Sequence, residues 1–493
     1  MRASVAARAR YWAIALLTPT LSSVAAAASA PQVADAVKAR NLQVLNALLK
    51  QSADVNAPQT DGTTALHWAA YWDDAPTVDL LLRAGARVDA ANRYGVTPLF
   101  VAATNGNAPI IGRLLEAGAD AGTATGTASG EGESALMAAS RTGNVEGVKL
   151  LLDYGADVHA GERWHKQSAV MYAAAANSAG VVQALLDAGA DIAATSDGGF
   201  TALHYAARAG AIDAARVLIA GRADLNKRLN SGASPLMLAI INARWELAAM
   251  LVEKGGNPND DGMGFTPLHQ LVWAYHPNVV YMPPGPVPTG RLSAMDLAKV
   301  LLDHQADPNA RMTKNPPDGY RTSMNRIGGT PLLMAARVPD VNLMRLLLSY
   351  GADPRIRTRD NTTLLIVASG YGWQAGESPE ARPGALMEAV KLALELGGDL
   401  HEANDRGYTP LHCAVIRESN ELIQFLVDQG ADLYAKTAEE DPRTPGLGEG
   451  KTPLGVSQGQ LINATKKYYP EQEMFLRRIM GLPPASQAAD APQ

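Results

Sequence analysis

Residues 199–226 read GFTALHYAARAGAIDAARVLIAGRADLN, and variants of this stretch recur along most of the chain. Thr201 stands where a helix should begin, because its hydroxyl can accept a hydrogen bond from a backbone N–H that has no intrahelical partner. Ala206 and Ala207 are small enough for a second helix to approach closely, and residues 217–219 form the apolar end of that helix. The stretch therefore predicts a pair of short helices.

The sister copies share two further features. Proline, which is favoured at the first helical position, follows the cap at Pro98, Pro267, Pro331, Pro410 and Pro453. An apolar residue then fills one slot in every copy, namely Leu66, Leu99, Leu136, Val170, Leu203, Leu236, Leu268, Leu332, Leu364, Leu411 and Leu454. A helix pair this short cannot bury its apolar faces alone, so the copies must stack on one another.

A spacing near 33 residues with Thr-Pro-Leu-His openings, at residues 266–269 and 409–412, resembles the ankyrin repeat. The resemblance covers about residues 31 to 482. It implies an all-α solenoid of helix–turn–helix units with β-turn or hairpin fingers and a capping unit at each end. It also implies a tendency to bind other proteins, and little else about function.

The repeats and their interruptions predict the organisation of the chain. We expect a signal peptide (1–28), an N-terminal capping repeat (29–61), regular repeats (62–263), repeats with long insertions (264–449), a C-terminal capping repeat (450–482) and a disordered tail (483–493). The insertions are residues 276–293, 311–327, 370–384 and 441–450. Second helices should end at a left-handed glycine, from which Ser52, Arg222 and Gln305 depart.

The first 30 residues are typical of a secretory signal peptide. Three arginines precede an apolar centre at residues 12–21 and a small-residue end at 24–30. The apolar run is too short for a membrane span, so we expect no integral membrane protein after its removal. The sequence predicts cleavage near Ala28 and a periplasmic or secreted bacterial protein.

The charge of the chain argues against general nucleic-acid binding. The net charge is −6, and it becomes −9 without the three arginines of the signal peptide. Residues 311–359 are the exception, with nine basic residues against three acidic ones. They are either solvated turn residues or a docking face for a partner with an acidic surface. We expect a monomer.

The sequence predicts no enzyme and no cofactor. His67, His204, His269 and His412 occupy the repeat's own histidine slot, and the other five histidines have no metal-ligand spacing. Residues 446–452, GLGEGKT, lack the first glycine of a phosphate-binding loop, since Pro445 stands in its place. The single cysteine, Cys413, lies in a slot that faces the helix stack, and we expect an inert thiol.

The insertions carry the candidate binding residues. Those at 276–293 and 370–384 should leave the same edge of the stack, and exposed aromatic loops on a rigid scaffold commonly bind partners. We predict partner contacts at Tyr281, Tyr320, Arg321, Arg326, Tyr371 and Trp373. The favoured function is a non-enzymatic periplasmic adaptor that binds a protein on its concave face.

Several alternatives stay open. The two aromatic loops could pack on each other as a purely structural lid. They could instead bind a small ligand or an envelope glycan. An enzyme built on the loops, with His276 and Glu377 as its candidate residues, and an exported effector that acts in a host cell are further hypotheses.

Overall fold

The computed structural model of the chain describes residues 32–126, 132–275, 287–316, 324–372, 384–438, 450–462 and 465–484, with the backbone alone for 460–467. In these ranges the helices come in pairs, a first and a second helix per repeat. The pairs are α1 (Gln32–Lys38) with α2 (Leu42–Lys50), α3 (Ala65–Tyr71) with α4 (Ala75–Arg83), α5 (Pro98–Asn105) with α6 (Ala108–Glu116), α7 (Ala135–Thr142) with α8 (Val145–Asp153), α9 (Ala169–Ala175) with α10 (Ala179–Asp187), α11 (Ala202–Ala209) with α12 (Ile212–Ala220), α13 (Pro235–Ile241) with α14 (Trp245–Glu253), α15 (Pro267–Tyr275) with α16 (Ala294–Asp303), α17 (Pro331–Arg337) with α18 (Val341–Ser349), α19 (Leu364–Ala368) with α20 (Ala385–Glu395), and α21 (Pro410–Ile416) with α22 (Asn420–Asp428).

The chain closes with α23 (Pro453–Ser457), the strands β1 (Gln460–Ile462) and β2 (Thr465–Lys467), and α24 (Pro470–Ile479). The two strands form an antiparallel hairpin in which Leu461 pairs with Lys466. This hairpin was not predicted. Apart from it, the all-α solenoid of stacked repeats with capping units is confirmed, and short bridges such as Gly161 to Ser168 close the turns between repeats as fingers.

First helices begin as their sequence predicts. Thr97 accepts the N–H of Phe100 at 3.2 Å, and Pro98 occupies the first helical position. One assignment was wrong by a residue. In α19 the cap is Thr363, so the leucine slot, two residues after the cap, belongs to Leu365 and not to Leu364.

Second helices end in a left-handed residue, also as predicted. Gly255 takes φ 104°, where glycine has no Cβ penalty. Ser52 (φ 55°), Arg222 (φ 67°) and Gln305 (φ 68°) adopt the same conformation without that advantage. The stack tolerates these local costs because each repeat is held by its neighbours.

The two layers of helices are packed unequally. Every first helix packs on the first helix of the next repeat, whereas α12 and α14, both second helices, touch at few points. Because the first helices pack against one another along the whole stack, we call the side of the stack that they form the concave face. Between the layers lies the core, where Leu66, Leu99 and Leu203 are at most 1% exposed.

The described ends of the insertions are tied to the stack. Met312 donates its N–H to the oxygen of Gly329 at 2.9 Å, and Gly328 donates to the oxygen of Met312 at 2.7 Å. In the preceding insertion, one carboxylate oxygen of Glu246 at the start of α14 accepts the N–H of Arg291 and, at 2.8 Å, that of Leu292. The ends of these insertions are therefore fixed parts of the scaffold.

Candidate functional site: the concave face

The four histidines of the Thr-Pro-Leu-His slot join one repeat to the next. In His269, Nδ1 accepts the backbone N–H of Thr266 at 3.2 Å, and Nε2 lies 3.1 Å from the carbonyl oxygen of Gly329. A carbonyl can only accept, so Nε2 carries the proton. His67, His204 and His412 bond to Val96, Lys227 and Lys451 in the same way.

Burial lowers the pKa of His204, His269 and His412 to about 4, although a backbone hydrogen bond opposes the shift in each. These imidazoles are neutral, fully bonded and enclosed. The structural role predicted for them is confirmed.

Two of the six predicted contact residues lie in the described structure, and both are buried. Tyr371 is 2% exposed, and its ring centroid lies 5.7 Å from that of Tyr408. Arg326 is 3% exposed, and its guanidinium lies 6.0 Å from the ring centroid of Trp273. Neither side chain is presented to a partner here. Tyr281, Tyr320, Arg321 and Trp373 lie outside the described residues, as do His276, Glu377 and residues 446–449.

Several basic residues of 311–359 pair with groups of the same chain, although Arg355 stays exposed at the surface. Arg311 donates to the carbonyl oxygens of Gly328 at 3.2 Å and Arg357 at 2.8 Å. Arg355 forms a bidentate pair with Asp353, and Arg357 pairs with Glu402 at 2.5 Å. Much of this positive charge therefore stabilises the turns between repeats.

An exposed group of aromatic and basic residues lies at the N-terminal end of the concave face. This N-terminal cluster comprises Lys38, Arg40, Trp68, Tyr71 and Trp72. The ring centroids of Trp68 and Tyr71 lie 5.7 Å apart, and those of Tyr71 and Trp72 lie 4.9 Å apart, both edge to face. Lys38 stands 4.9 Å over Trp68 and Arg40 stands 5.6 Å over Trp72.

Gln59 holds this cluster in place through two hydrogen bonds. Its side-chain oxygen accepts the indole N–H of Trp68 at 2.9 Å, and its amide donates to Asp35 at 2.6 Å. Tyr71 is 40% exposed and Trp72 is 37% exposed. A fixed aromatic surface of this kind buries apolar area at little cost in side-chain entropy.

A second group of aromatic and basic residues, the central ledge, lies midway along the same face, with its two arginines exposed and its rings partly or largely buried. It comprises Arg141, Tyr172, Phe200, Tyr205 and Arg208. The guanidinium of Arg141 lies 5.7 Å from the Tyr172 ring, and that of Arg208 lies 5.6 Å from Phe200 and 5.1 Å from Tyr205. Burial, followed by nearby carboxylates, raises the pKa of Tyr172 to about 12, so its hydroxyl stays neutral.

Our sequence analysis missed both groups, although a signal was present. Most residues of the two groups stand four or seven positions after the Ser or Thr that caps their helix. Tyr172 is four positions after Ser168, and Arg208 is seven positions after Thr201. These positions repeat along the concave face. The sequence analysis placed the fourth position inside the stack, and Cys413 and Tyr205 there are indeed buried, whereas Trp68 and Tyr172 at the same position are only partly buried.

The opposite side of the stack has a groove of about 740 Å³ between α12 and α14. Ile212, Ile219, Met250 and Leu292 line it, with Arg216 and Lys254 at the rim. The lining is mainly apolar, and its carboxylates are Glu246 and Glu253.

Within the described ranges, no group of His, Cys, Asp and Glu side chains has the arrangement of a metal site. The helices found in those same ranges are too short or too polar for any of them to cross a bilayer.

Comparison with known proteins identifies the repeats. The profile of ankyrin repeats in three copies matches residues 33–125, 92–162, 121–196 and 160–228, and that of the single ankyrin repeat matches 328–359 and 406–438. The chain is 29% identical to the human transient receptor potential cation channel subfamily A member 1 over 300 residues, which are 60% of this chain and 24% of the channel. It is 33% identical to the human protein phosphatase 1 regulatory subunit 27 over 86 residues, 17% of this chain and 53% of that protein.

A solved structure of the human ASB11 ankyrin repeat domain is 26% identical, covers 46% of this chain and 98% of its own, and superposes with a TM-score of 0.41. The chain spans about a quarter of the channel and about half of the phosphatase subunit, so the likeness concerns the repeats and not the whole proteins. The chain belongs to the ankyrin repeat family.

Proposed function

We propose that this chain is a non-enzymatic scaffold that binds a protein partner on its concave face. The observation that carries the proposal is the row of exposed or partly exposed aromatic and basic side chains there, from Trp68 and Tyr71 in the N-terminal cluster to Tyr172 and Arg208 in the central ledge. Tyr, Trp and Arg are the residues most enriched among those that dominate binding energies. Ankyrin repeats generally mediate contacts between proteins, which supports the same function.

The insertions would add specificity at the C-terminal half of the scaffold. Tyr281, Tyr320, Arg321 and Trp373 remain our proposed contacts there. We leave out Arg326 and Tyr371, because a partner could reach these buried side chains only after the scaffold opened. Residues 311–359 are a weaker candidate for an acidic partner than their composition indicates, since several of their arginines bond internally.

We also propose that the mature chain acts in the periplasm or outside the cell. The support is the signal-like composition of the first 30 residues. Cell fractionation with N-terminal sequencing of the mature protein tests it. A cytoplasmic chain that keeps its first residues would refute export and leave the binding function intact.

The binding proposal is tested by affinity capture and then by titration with the purified partner. The test variant replaces Tyr71 and Trp72 by alanine, and the control replaces Tyr154, an aromatic residue of similar exposure at the end of the second helix α8. The double substitution should weaken binding by more than about 2 kcal/mol, roughly thirtyfold, if these residues are anchors. The control should bind normally.

Two results would count against this proposal. A partner held equally by the parent, the test variant and the control would place the contact away from the N-terminal cluster. The double substitution of Tyr281 and Trp373 would then show whether the insertions hold it instead. If no protein is captured by any form, the scaffold proposal fails and screening for glycans or small ligands becomes the next step.

A further inference from the structure

The cation of Arg208 is not neutralised. The side chain is exposed and lies over two rings, Phe200 and Tyr205. Across the described ranges no carboxylate lies within ion-pairing distance of it. Among the described residues none accepts a hydrogen bond from this guanidinium, so its N–H groups face solvent.

The neighbouring carboxylates are already used. Glu133 pairs with Arg141 at 2.9 Å, and Asp197 pairs with Lys166 at 3.1 Å. Glu162 is 4% exposed and accepts the backbone N–H groups of the finger that follows it: Trp164 at 2.6 Å, His165 at 2.9 Å and Gln167 at 3.1 Å. The central ledge therefore presents positive charge at Arg208 that its surroundings do not balance.

An exposed arginine whose N–H groups face solvent is suited to bind a carboxylate, which it can hold through two parallel hydrogen bonds. The partly exposed ring of Phe200 lies 5.6 Å from that guanidinium and offers apolar surface beside it. The ring of Tyr172, also partly exposed, lies on the neighbouring first helix, whereas Tyr205 is only 6% exposed. We propose that the central ledge binds an acidic peptide segment of the partner, with a carboxylate on Arg208 and a neighbouring apolar side chain against the rings. This inference rests on the proposed scaffold function and names the chemistry of its ligand.

The test is fluorescence anisotropy with the full-length mature chain and a fluorescein-labelled peptide of alternating glutamate and valine. Two counterparts carry glutamine or lysine in place of every glutamate. We expect the parent protein to bind the glutamate peptide and Arg208→Gln to bind it about tenfold to a hundredfold more weakly, the usual loss for a charge-assisted hydrogen bond. Arg208→Lys should recover part of the affinity, because it keeps the charge without the bidentate edge.

Arg113→Gln is the matched control. This arginine is also partly exposed but pairs with Asp79 at 2.9 Å on the second-helix side, so its loss should leave peptide binding unchanged. Thermal melts of all variants check that the fold is intact, which is expected because Arg208 has no hydrogen-bond partner among the described residues.

Three outcomes would overturn the inference: equal binding of the glutamate peptide by Arg208→Gln, equal binding of the glutamine peptide by the parent, or no binding of the glutamate peptide. The scaffold proposal would survive each of them if capture of a partner still depended on Tyr71 and Trp72. The opposite case is also distinguishable. If the glutamate peptide bound as expected but no partner capture depended on Tyr71 and Trp72, the central ledge would bind acidic peptides and the scaffold proposal for the N-terminal cluster would fail.

Discussion

Replacement of one slot histidine should remove a defined part of the pH dependence of stability. His204→Met is the most conservative change available, since other repeats place Met137, Met171 or Met237 in the same slot. Methionine fills the space but cannot titrate. We expect the variant to be less stable than the parent at pH 7, because it loses the bonds of Nδ1 to Thr201 and of Nε2 to Lys227.

The magnitude follows from the lowered pKa. Burial lowers the pKa of His204 from 6.5 to about 4. The neutral form is therefore favoured in the folded state, and its stabilising contribution is full above pH 6.5 and is lost as the pH falls toward 4. Between pH 7 and pH 5, one such histidine should lower the free energy of unfolding by about 2 kcal/mol.

Urea unfolding followed by circular dichroism at pH 7, 6 and 5 measures this effect, in a range where most carboxylates stay ionised. Between pH 7 and pH 5 the free energy of unfolding should fall in both proteins, and the fall should be about 2 kcal/mol smaller for His204→Met than for the parent. His304→Gln is the control for the removal of an exposed histidine. Parallel curves for His204→Met and the parent would refute the linkage, as would an imidazole pKa near 6.5 measured by NMR in the folded protein.

Three further predictions concern single side chains. Cys413 is fully buried and burial raises the pKa of its thiol, so a thiol reagent at pH 8 should label it only at the rate of unfolding. Glu162→Ala leaves the backbone donors of its finger without their buried acceptor, and should cost about 2 kcal/mol and speed hydrogen exchange at Trp164. Glu246→Ala should release the end of the insertion at Leu292 from α14 and speed hydrogen exchange at Leu292, and the free energy of unfolding should fall by about 1 kcal/mol.

Each of these predictions has a result that would contradict it. Rapid labelling of Cys413 in the folded chain would mean that the α21 region opens locally. Unchanged exchange at Trp164 or Leu292 would mean that the carboxylate bonds do not hold those segments in solution. Glu253→Ala, on the exposed end of α14, is the control for Glu246→Ala.

The local chemistry of the repeats was predictable from sequence because it acts within a few residues. A capping threonine, a proline after it and a left-handed glycine at the far end each determine their own turn, as Thr97, Pro98 and Gly118 show. The same locality explains the misplacement at Leu364, since Leu364 and Leu365 are both apolar and only the cap at Thr363 distinguishes them.

The binding surface was harder to predict because it depends on which side of the stack a residue faces. Tyr371 lies in an insertion and was expected to be exposed, but it packs against Tyr408 of the next repeat. Conversely, Arg141 and Tyr172 come from different repeats and meet only because α7 packs on α9. Such pairs can be predicted from the sequence only when successive repeats are aligned on their capping residues and the same positions are compared.

The most direct test of the central claim is site-specific photo-crosslinking in cells that produce the chain. A photoreactive phenylalanine at Ala175 would probe the concave face, where this exposed residue holds the same repeat position as Arg141 and Arg208. The same probe at Lys149, exposed on the second helix α8, would report on the opposite side. We predict one crosslinked protein from Ala175 and none from Lys149. Crosslinks of equal strength from both, or none from Ala175, would contradict binding on the concave face.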